Sequence, residues 1–444
     1  MLFTTPHRTQ RFPALFLLSL VTGVALAQNP PAVQWQRLYG GSSIEDGHDV
    51  RPTRDGGFVG VGRTSSTDGD VAVMNGFVDL WVVKVDAGGQ IEWEHALGGT
   101  QQDEGWAIVQ TPDDGFIVTG ATNSMDGDVV GVHPSDTALY PAQTMDLWVV
   151  KLNASGALQW QRTLGGTGPD WGLSIVATMD GGCVVAGSTE SSDGDVSGYH
   201  GGGDVWVVKL DVNGSLQWQR ALGGSLQEYV ESMAATPDGG FILTGMTSSH
   251  DGDVSGNHGG QDVWAAKLDA NGGLQWQRCF GGSAVDDGKD ILATTDGGYL
   301  LAGTTLSNDG DVTGLQGEVD AWVMKLDGSG ALEWQRTMGG AGYEWSFGAM
   351  QAPNGTYVLC GGSSSTDGAF SGGHGGYSDA LLFSLDAQGT LLWQTLLGGS
   401  GTELFQKVRL CSDGGFIVLG RTDSEDGDLS GPSRLFEDLW MVRF

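Results

Sequence analysis

Residues 262–282 read DVWAAKLDANGGLQWQRCFGG: two apolar runs of seven residues around Asp269-Ala-Asn-Gly272, closed by Gly281-Gly282. Seven residues are too few for a helix, and a turn with Asp first and Gly fourth has the preference of a type I turn. The stretch therefore predicts a pair of strands joined by a tight turn. Its second half recurs, because a Trp followed five and six residues later by Gly-Gly stands at Trp35, Trp93, Trp160, Trp218, Trp276, Trp334 and Trp393. The spacings are 58, 67, 58, 58, 58 and 59 residues, so seven copies of one unit fill the chain.

Upstream of that stretch the same unit reads VESMAATPDGG and then FILTGMTSSHDGDVSGNHGGQ. Each apolar run is short and bounded by Gly, Asp, Asn or Ser, which gives four strands per unit. Asp238-Gly-Gly and its equivalents at Asp55, Asp180, Asp296 and Asp413 supply the positive-φ residues of a tight hairpin. Seven four-stranded units predict an all-β fold, a seven-bladed β-propeller of antiparallel blades. The chain opens on the unit's last strand, VQWQRLYGG, and stops after its third, Asp438 to Phe444. The N-terminal strand is thus expected to complete the C-terminal blade and protect an open edge. Residues 28–444 form one domain in this reading.

Residues 1–27 stand apart. Arg8 and Arg11 precede an apolar stretch from Pro13 to Ala27 that is too short to span a bilayer, and Ala25-Leu-Ala27 before Gln28 is a small-x-small cleavage site. A secretory signal peptide cut after Ala27 is expected, with a secreted or periplasmic product not inserted in a membrane. The whole chain has 21 Lys and Arg against 54 Asp and Glu, a net charge of −33. Such a balance argues against nucleic acid, whose phosphates need clustered cations. The 76 glycines reflect repeated turns, and 39% hydrophobic residues with 16 Trp supply a core. Cys183, Cys279, Cys360 and Cys411 fall at four different phases of the repeat, so they read as buried apolar residues without a disulfide framework.

A second Trp recurs at Trp81, Trp148, Trp206, Trp264, Trp322 and Trp440, with Leu381 in the sixth unit. Fixed strand positions favour packing between blades over sugar stacking. Lys84, Lys151, Lys209, Lys267, Lys325 and Arg443 share one strand position, and Arg37, Arg162, Arg220, Arg278 and Arg336 share another. Pairing with neighbours or stacking on Trp is their expected role.

The stretch from Lys267 to Trp276 with its following Gly-Gly resembles the tryptophan-docking hairpin of quinoprotein-like propellers. The resemblance implies the fold, and with no motif for the cofactor pocket no quinone is expected. The whole unit, Thr-x-Asp-Gly-Gly-Phe, Asp-Gly-Asp-Val and Asp-Val-Trp-Val-Val-Lys-Leu-Asp, resembles exported bacterial repeat proteins of unassigned activity.

Propeller topology puts the second-to-third loop and the inter-blade loop on one face, and 27 of the 54 acids map there. Three loops have oxygens at positions 1, 3, 5 and 12: Asp193, Asp195, Ser197 and Asp204; Asp251, Asp253, Ser255 and Asp262; Asp309, Asp311, Thr313 and Asp320. A Gly at position 6 completes the order of a calcium-binding EF-hand loop, and hard oxygen ligands favour calcium. Strands flank these loops in place of helices, Asp replaces the bidentate Glu, and turn chemistry alone accounts for Asp-Gly-Asp. His200, His258 and His374 share one loop phase and read as solvated residues. Nucleophile-elbow, phosphate-loop and paired zinc-ligand motifs are absent. The expectation is a non-enzymatic exported monomer whose acidic, calcium-binding face meets an extracellular or cell-surface protein or polysaccharide. The alternative is a glycan hydrolase or lyase using acids near the channel, a pair such as Asp170 and Glu344 serving as the example. Residues 131–144, the insertion in the 67-residue second unit, are the largest break in symmetry.

Overall fold

The structure, a computed structural model, describes residues 29–135, 144–429 and 436–444. The expected signal peptide and residues 136–143 of the insertion lie outside the described residues. Within them stand 28 strands and no helix, and none of the described residues forms a helix long and apolar enough to cross a membrane. The strands form seven antiparallel sheets of four, the seven-bladed propeller that the repeat predicts. Six blades are continuous in sequence. The seventh takes three strands from residues 403–443 and its fourth from Trp35–Tyr39, with Trp35 opposite Arg443 and Tyr39 opposite Leu439. The ring is closed by that strand.

The first strands, Glu45–Pro52, Asp103–Gln110, Asp170–Ala177, Glu228–Ala235, Asp286–Ala293, Glu344–Gln351 and Glu403–Leu410, pack on one another around the axis. Third strands are buried on both faces between blades. Their Trp81, Trp148, Trp206, Trp264, Trp322 and Trp440 are almost wholly buried. An aromatic side chain buries ~150–250 Å², worth up to ~6 kcal/mol each at ~25 cal/mol per Å² as an upper bound. Each indole N–H must then find an acceptor, and the fourth strand supplies one. Trp148 Nε1 donates to Gln161 Oε1 at 2.9 Å, Trp264 to Gln277 at 3.0 Å and Trp81 to Glu94 at 2.8 Å.

The fourth-strand Trp bonds the next blade instead. Trp160 Nε1 donates to Val212 O at 3.1 Å, and Arg162 beside it reaches Asn213 O at 3.2 Å, both in the following blade's turn. The turn glycine rests on the ring: Gly330 has φ +80°, and a Cβ there would stand 2.8 Å from the Trp276 ring. The repeated lysines pair with the Asp-Gly-Gly acids, Lys267 with Asp238 and Lys209 with Asp180 at 2.9 Å each. Blade six lacks both partners, having Ser384 and Asn354 at these positions. All four cysteines are buried and free.

Candidate functional site

The residues that repeat build the ring, and one set that does not repeat lines its axis. In every blade the pairing of first and second strands skips one residue, a β-bulge at the fourth position of the first strand. A bulge re-aims a side chain out of the ladder. The seven skipped residues are His48, Trp106, Leu173, Glu231, Lys289, Phe347 and Gln406, no two alike, and all seven line one axial cavity of about 280 Å³ with Asp46, Lys407 and Arg421. Below it a second cavity of about 460 Å³ continues along the axis past Asp49, Arg51, Asp290 and Arg409. Trp106, Leu173, Glu231 and Lys407 line both and form the waist between them.

Scarce positive charge converges here. Outside the repeated positions the chain after Ala27 has eight Lys and Arg. Arg51, Lys289, Lys407, Arg409 and Arg421 line the cavities, and Arg63 joins the rim by pairing with Asp46 at 3.5 Å. At the upper end Lys289 Nζ lies 2.6 Å from both Glu231 and Asp287. Burial works against its ammonium, but these two acids outweigh burial and hold its pKa above the usual range. Burial would likewise raise the Asp46 carboxyl, yet His48, Arg421 and Arg63 bring it down to about 2. The His48 ring stacks on Trp106 at 4.0 Å between centroids and 3° between planes, with Nδ1 2.7 Å from Gly105 O. Deeper in, Arg409 spans the channel. Its Nη2 is 3.2 Å from Asp49 of blade one and its Nη1 is 3.6 Å from Asp290 of blade five.

The acids that do repeat have a different role. Glu45, Asp103, Asp170, Glu228, Asp286, Glu344 and Glu403 are fully buried, as are the third-strand Asp79, Asp146, Asp204, Asp262 and Asp320. With Asp379 and Asp438, also buried, 14 of the 27 acids assigned to one face point into the blade seams. Asp170 Oδ2 accepts from Ser191 Oγ at 2.7 Å and Gly166 N at 2.9 Å; burial pushes its carboxyl up to about 7. Glu344 holds Ser363 and Gly340 in the same way three blades away, and neither acid lines the axial cavities.

The three loops read as calcium sites are tied into turns. Asp193, Asp251 and Asp309 accept backbone N–H groups from Thr167, Ser225 and Ser283 at 2.7–2.8 Å. Asp195, Asp253 and Asp311 face the amides of Gly165, Gly223 and Gly281 at 3.3–3.4 Å. The hydroxyls of Ser197, Ser255 and Thr313 meet the amides of Gln219, Gln277 and Gln335. Asp204 and Asp262 hold His200 and His258, and Asp320 takes Gln316 N at 2.8 Å. Among the described residues no group of three or more His, Cys, Asp or Glu forms a metal cage, while Asp204 and Asp262 each keep a buried Oδ1 without a partner.

The loop histidines are half-buried clamps and not solvated residues. His200 joins Asp204 of its own blade to Asp253 of the next at 2.8 and 4.0 Å, and His258 joins Asp262 to Asp311 at 2.7 and 3.8 Å. His374 and His133 repeat the arrangement. Blade five has Gln316 at this position, and the next blade has Ala369 where the second acid would be.

No protein-family profile matches the chain. A curated protein, "Regulatory protein FlaEY" of Caulobacter vibrioides, is 28% identical over 173 residues, which are 36% of this chain and 18% of that protein. The chain therefore spans under a fifth of the length of that relative. Among solved structures it is similar to the WD40 β-propeller domain of Doa1, with 15% identity, TM-score 0.47 and 93% and 96% of the two chains covered. The WD40 domain of Neurospora crassa Pan2 gives 10% identity, TM-score 0.48 and coverage of 91% and 89%.

Proposed function

We propose that this chain is an exported, non-enzymatic binding propeller that takes its extracellular partner, a cell-surface protein or polysaccharide, at the axial cavity. One observation carries the reading: the seven bulge residues are all different and all meet in one cavity, in a molecule whose seam acids, turn glycines and third-strand Trp repeat. Side chains that only stabilise a ring recur from blade to blade, whereas recognition of an asymmetric ligand needs seven unlike contacts on a rigid frame. Calcium enters the same proposal as a weak ligand of the loop face. The orphaned oxygens of Asp204 and Asp262 suit an ion, but Asp193 and Ser197 would first have to release their present hydrogen bonds.

The test is a glycan array and a panel of extracellular proteins, probed with the native chain and with Phe347→Ala, each with calcium and with chelator. Binding that the variant loses is the expected outcome. Binding that the variant keeps would move the site away from the axis, and turnover of any bound polymer would make the protein an enzyme. Calcium dependence in both proteins alike would place the ion on the loops and not in the channel.

A further inference from the structure

The polar groups at the channel waist are unevenly matched. Lys289 is spent on Glu231 and Asp287, and Arg421 is 3.0 Å from Glu437. Lys407 is different: the nearest carboxylate oxygen paired with its ammonium is Asp290 Oδ1 at 3.8 Å, beyond hydrogen-bond reach. Trp106, two blades round the ring from Lys407, keeps a buried indole N–H without a partner, and so does Arg409 at Nε. Gln406 adds an amide one residue before Lys407. Asp46 Oδ1 and Asp287 Oδ1 are unpartnered acceptors towards the upper end, but around the waist the unpartnered buried groups, Trp106 Nε1 and Arg409 Nε, are donors. A buried donor left without a partner is costly, and an acceptor brought by a ligand would recover that cost. The walls are apolar and flat: Leu173, Phe347 and the Trp106–His48 stack.

We propose that the axial cavity binds a small organic carboxylate with a ring-sized body, its oxygens meeting Lys407 and Trp106 at the waist and its ring lying between the Trp106–His48 stack and Phe347. This rests on the axial cavity being the binding site and adds the chemical class of what enters it. The carboxylate is a monoanion because Lys407 is the one waist ammonium left without a close acid, while Glu231 and Asp290 nearby would repel a dianion. The body is ring-sized because cavities of about 280 and 460 Å³ suit a single ring and not a polymer segment. At the rim of a larger partner the same group would be a terminal acidic sugar or an aromatic acid.

The probes are glucuronate against glucose, benzoate against benzyl alcohol, and inorganic phosphate, followed by calorimetry and thermal shift on the mature chain. At least one carboxylate is expected to bind and raise the melting temperature while its neutral counterpart does not. Affinity should fall with added salt. Lys407→Met, which keeps the stem, and Trp106→Phe, which keeps the aromatic wall, should each weaken that binding by ten-fold or more with melting curves near native. Equal binding of acid and neutral partner, or binding unchanged in both variants, overturns the proposal. Phosphate binding in place of either carboxylate also overturns it, since the ring would then contribute nothing. If no carboxylate binds but Phe347→Ala still abolishes capture of a larger partner, the ligand class fails and the axial reading stands.

Discussion

Lys267 has an almost buried ammonium, and its acid, Asp238, is half exposed. The Thr236 hydroxyl and Lys267 together hold the Asp238 carboxyl down at about 2. Surface ion pairs are worth little, but one whose base cannot reach water is different, because losing the acid strands a charge. Blade six shows the alternative within the same ring: both members change together, to Ser384 and Asn354. Asp238→Asn should therefore destabilise the fold by about 1–3 kcal/mol in urea melts, since Lys267 keeps the Leu268 carbonyl at 3.0 Å but no anion. Lys267→Ser added to it should return most of that loss. A double variant no more stable than the single would refute the pairing account.

At the seam between blades, buried acids and clamping imidazoles set how stability follows pH. Burial raises Asp79 and Asp146 to about 6 and Asp170 to about 7, above the ordinary 3.8. A raised folded pKa means the native state holds its proton more tightly, so this contribution is full below 3.8 and is lost as pH rises through 6 to 7. His258, raised first by its hydrogen bond to Asp262, has the same sign: its clamp is full below 6.5 and fades as the imidazolium is lost. The turn acids Asp55, Asp180 and Asp238, held at about 2, work in the opposite direction and lose their contribution as pH falls through 2. The melting temperature should accordingly peak between about pH 4 and 6. A curve still rising at pH 8 would contradict this. His258→Gln, which copies Gln316 of blade five, should cost more stability at pH 5 than at pH 8; an equal loss at both would leave the clamp without a charge.

On the scale of the whole ring, Trp264, Lys267 and Asp238 were legible because every unit but the sixth repeats them, with Arg443 standing for the Lys in the last, and the type I and Asp-Gly-Gly turns need those residue types. The axial ring left no such trace, since His48, Trp106 and Lys289 share a position but no chemistry, and a bulge has no sequence signature. The signal was nonetheless present: counting three residues on from each opening acid, Glu45, Asp103 or Asp286, reaches a position at which all seven units differ. Acids counted loop by loop suggested one charged face because sequence does not tell a solvated Asp251 from a buried Asp262. Ring closure depends on residues 35–39, which serve two blades at once. Gln36 accepts the Trp440 indole at 3.0 Å in blade seven, while Trp35 Nε1 and Tyr39 Oη donate to Ala87 and Gly89 of blade one at 3.0 and 2.8 Å. Deleting residues 28–39 should orphan the Trp440 N–H, expose the strand Asp438–Arg443 as an edge, and loosen Gln406 and Lys407 from His48 of the neighbouring blade at the closing seam. Lower melting temperature and self-association on a sizing column are the expected readouts. Gln34 N already donates to Arg443 O at 2.7 Å, so the strands Trp35–Tyr39 and Asp438–Arg443 are placed for a hairpin. Moving residues 34–41 behind Phe444 through the turn Asp-Ala-Asn-Gly-Gly, copied from 269–273, should restore both stability and a monomer. If the truncated chain melts like the native one, or the permuted chain still self-associates, the strand is an ornament of blade seven and not the closure of the ring.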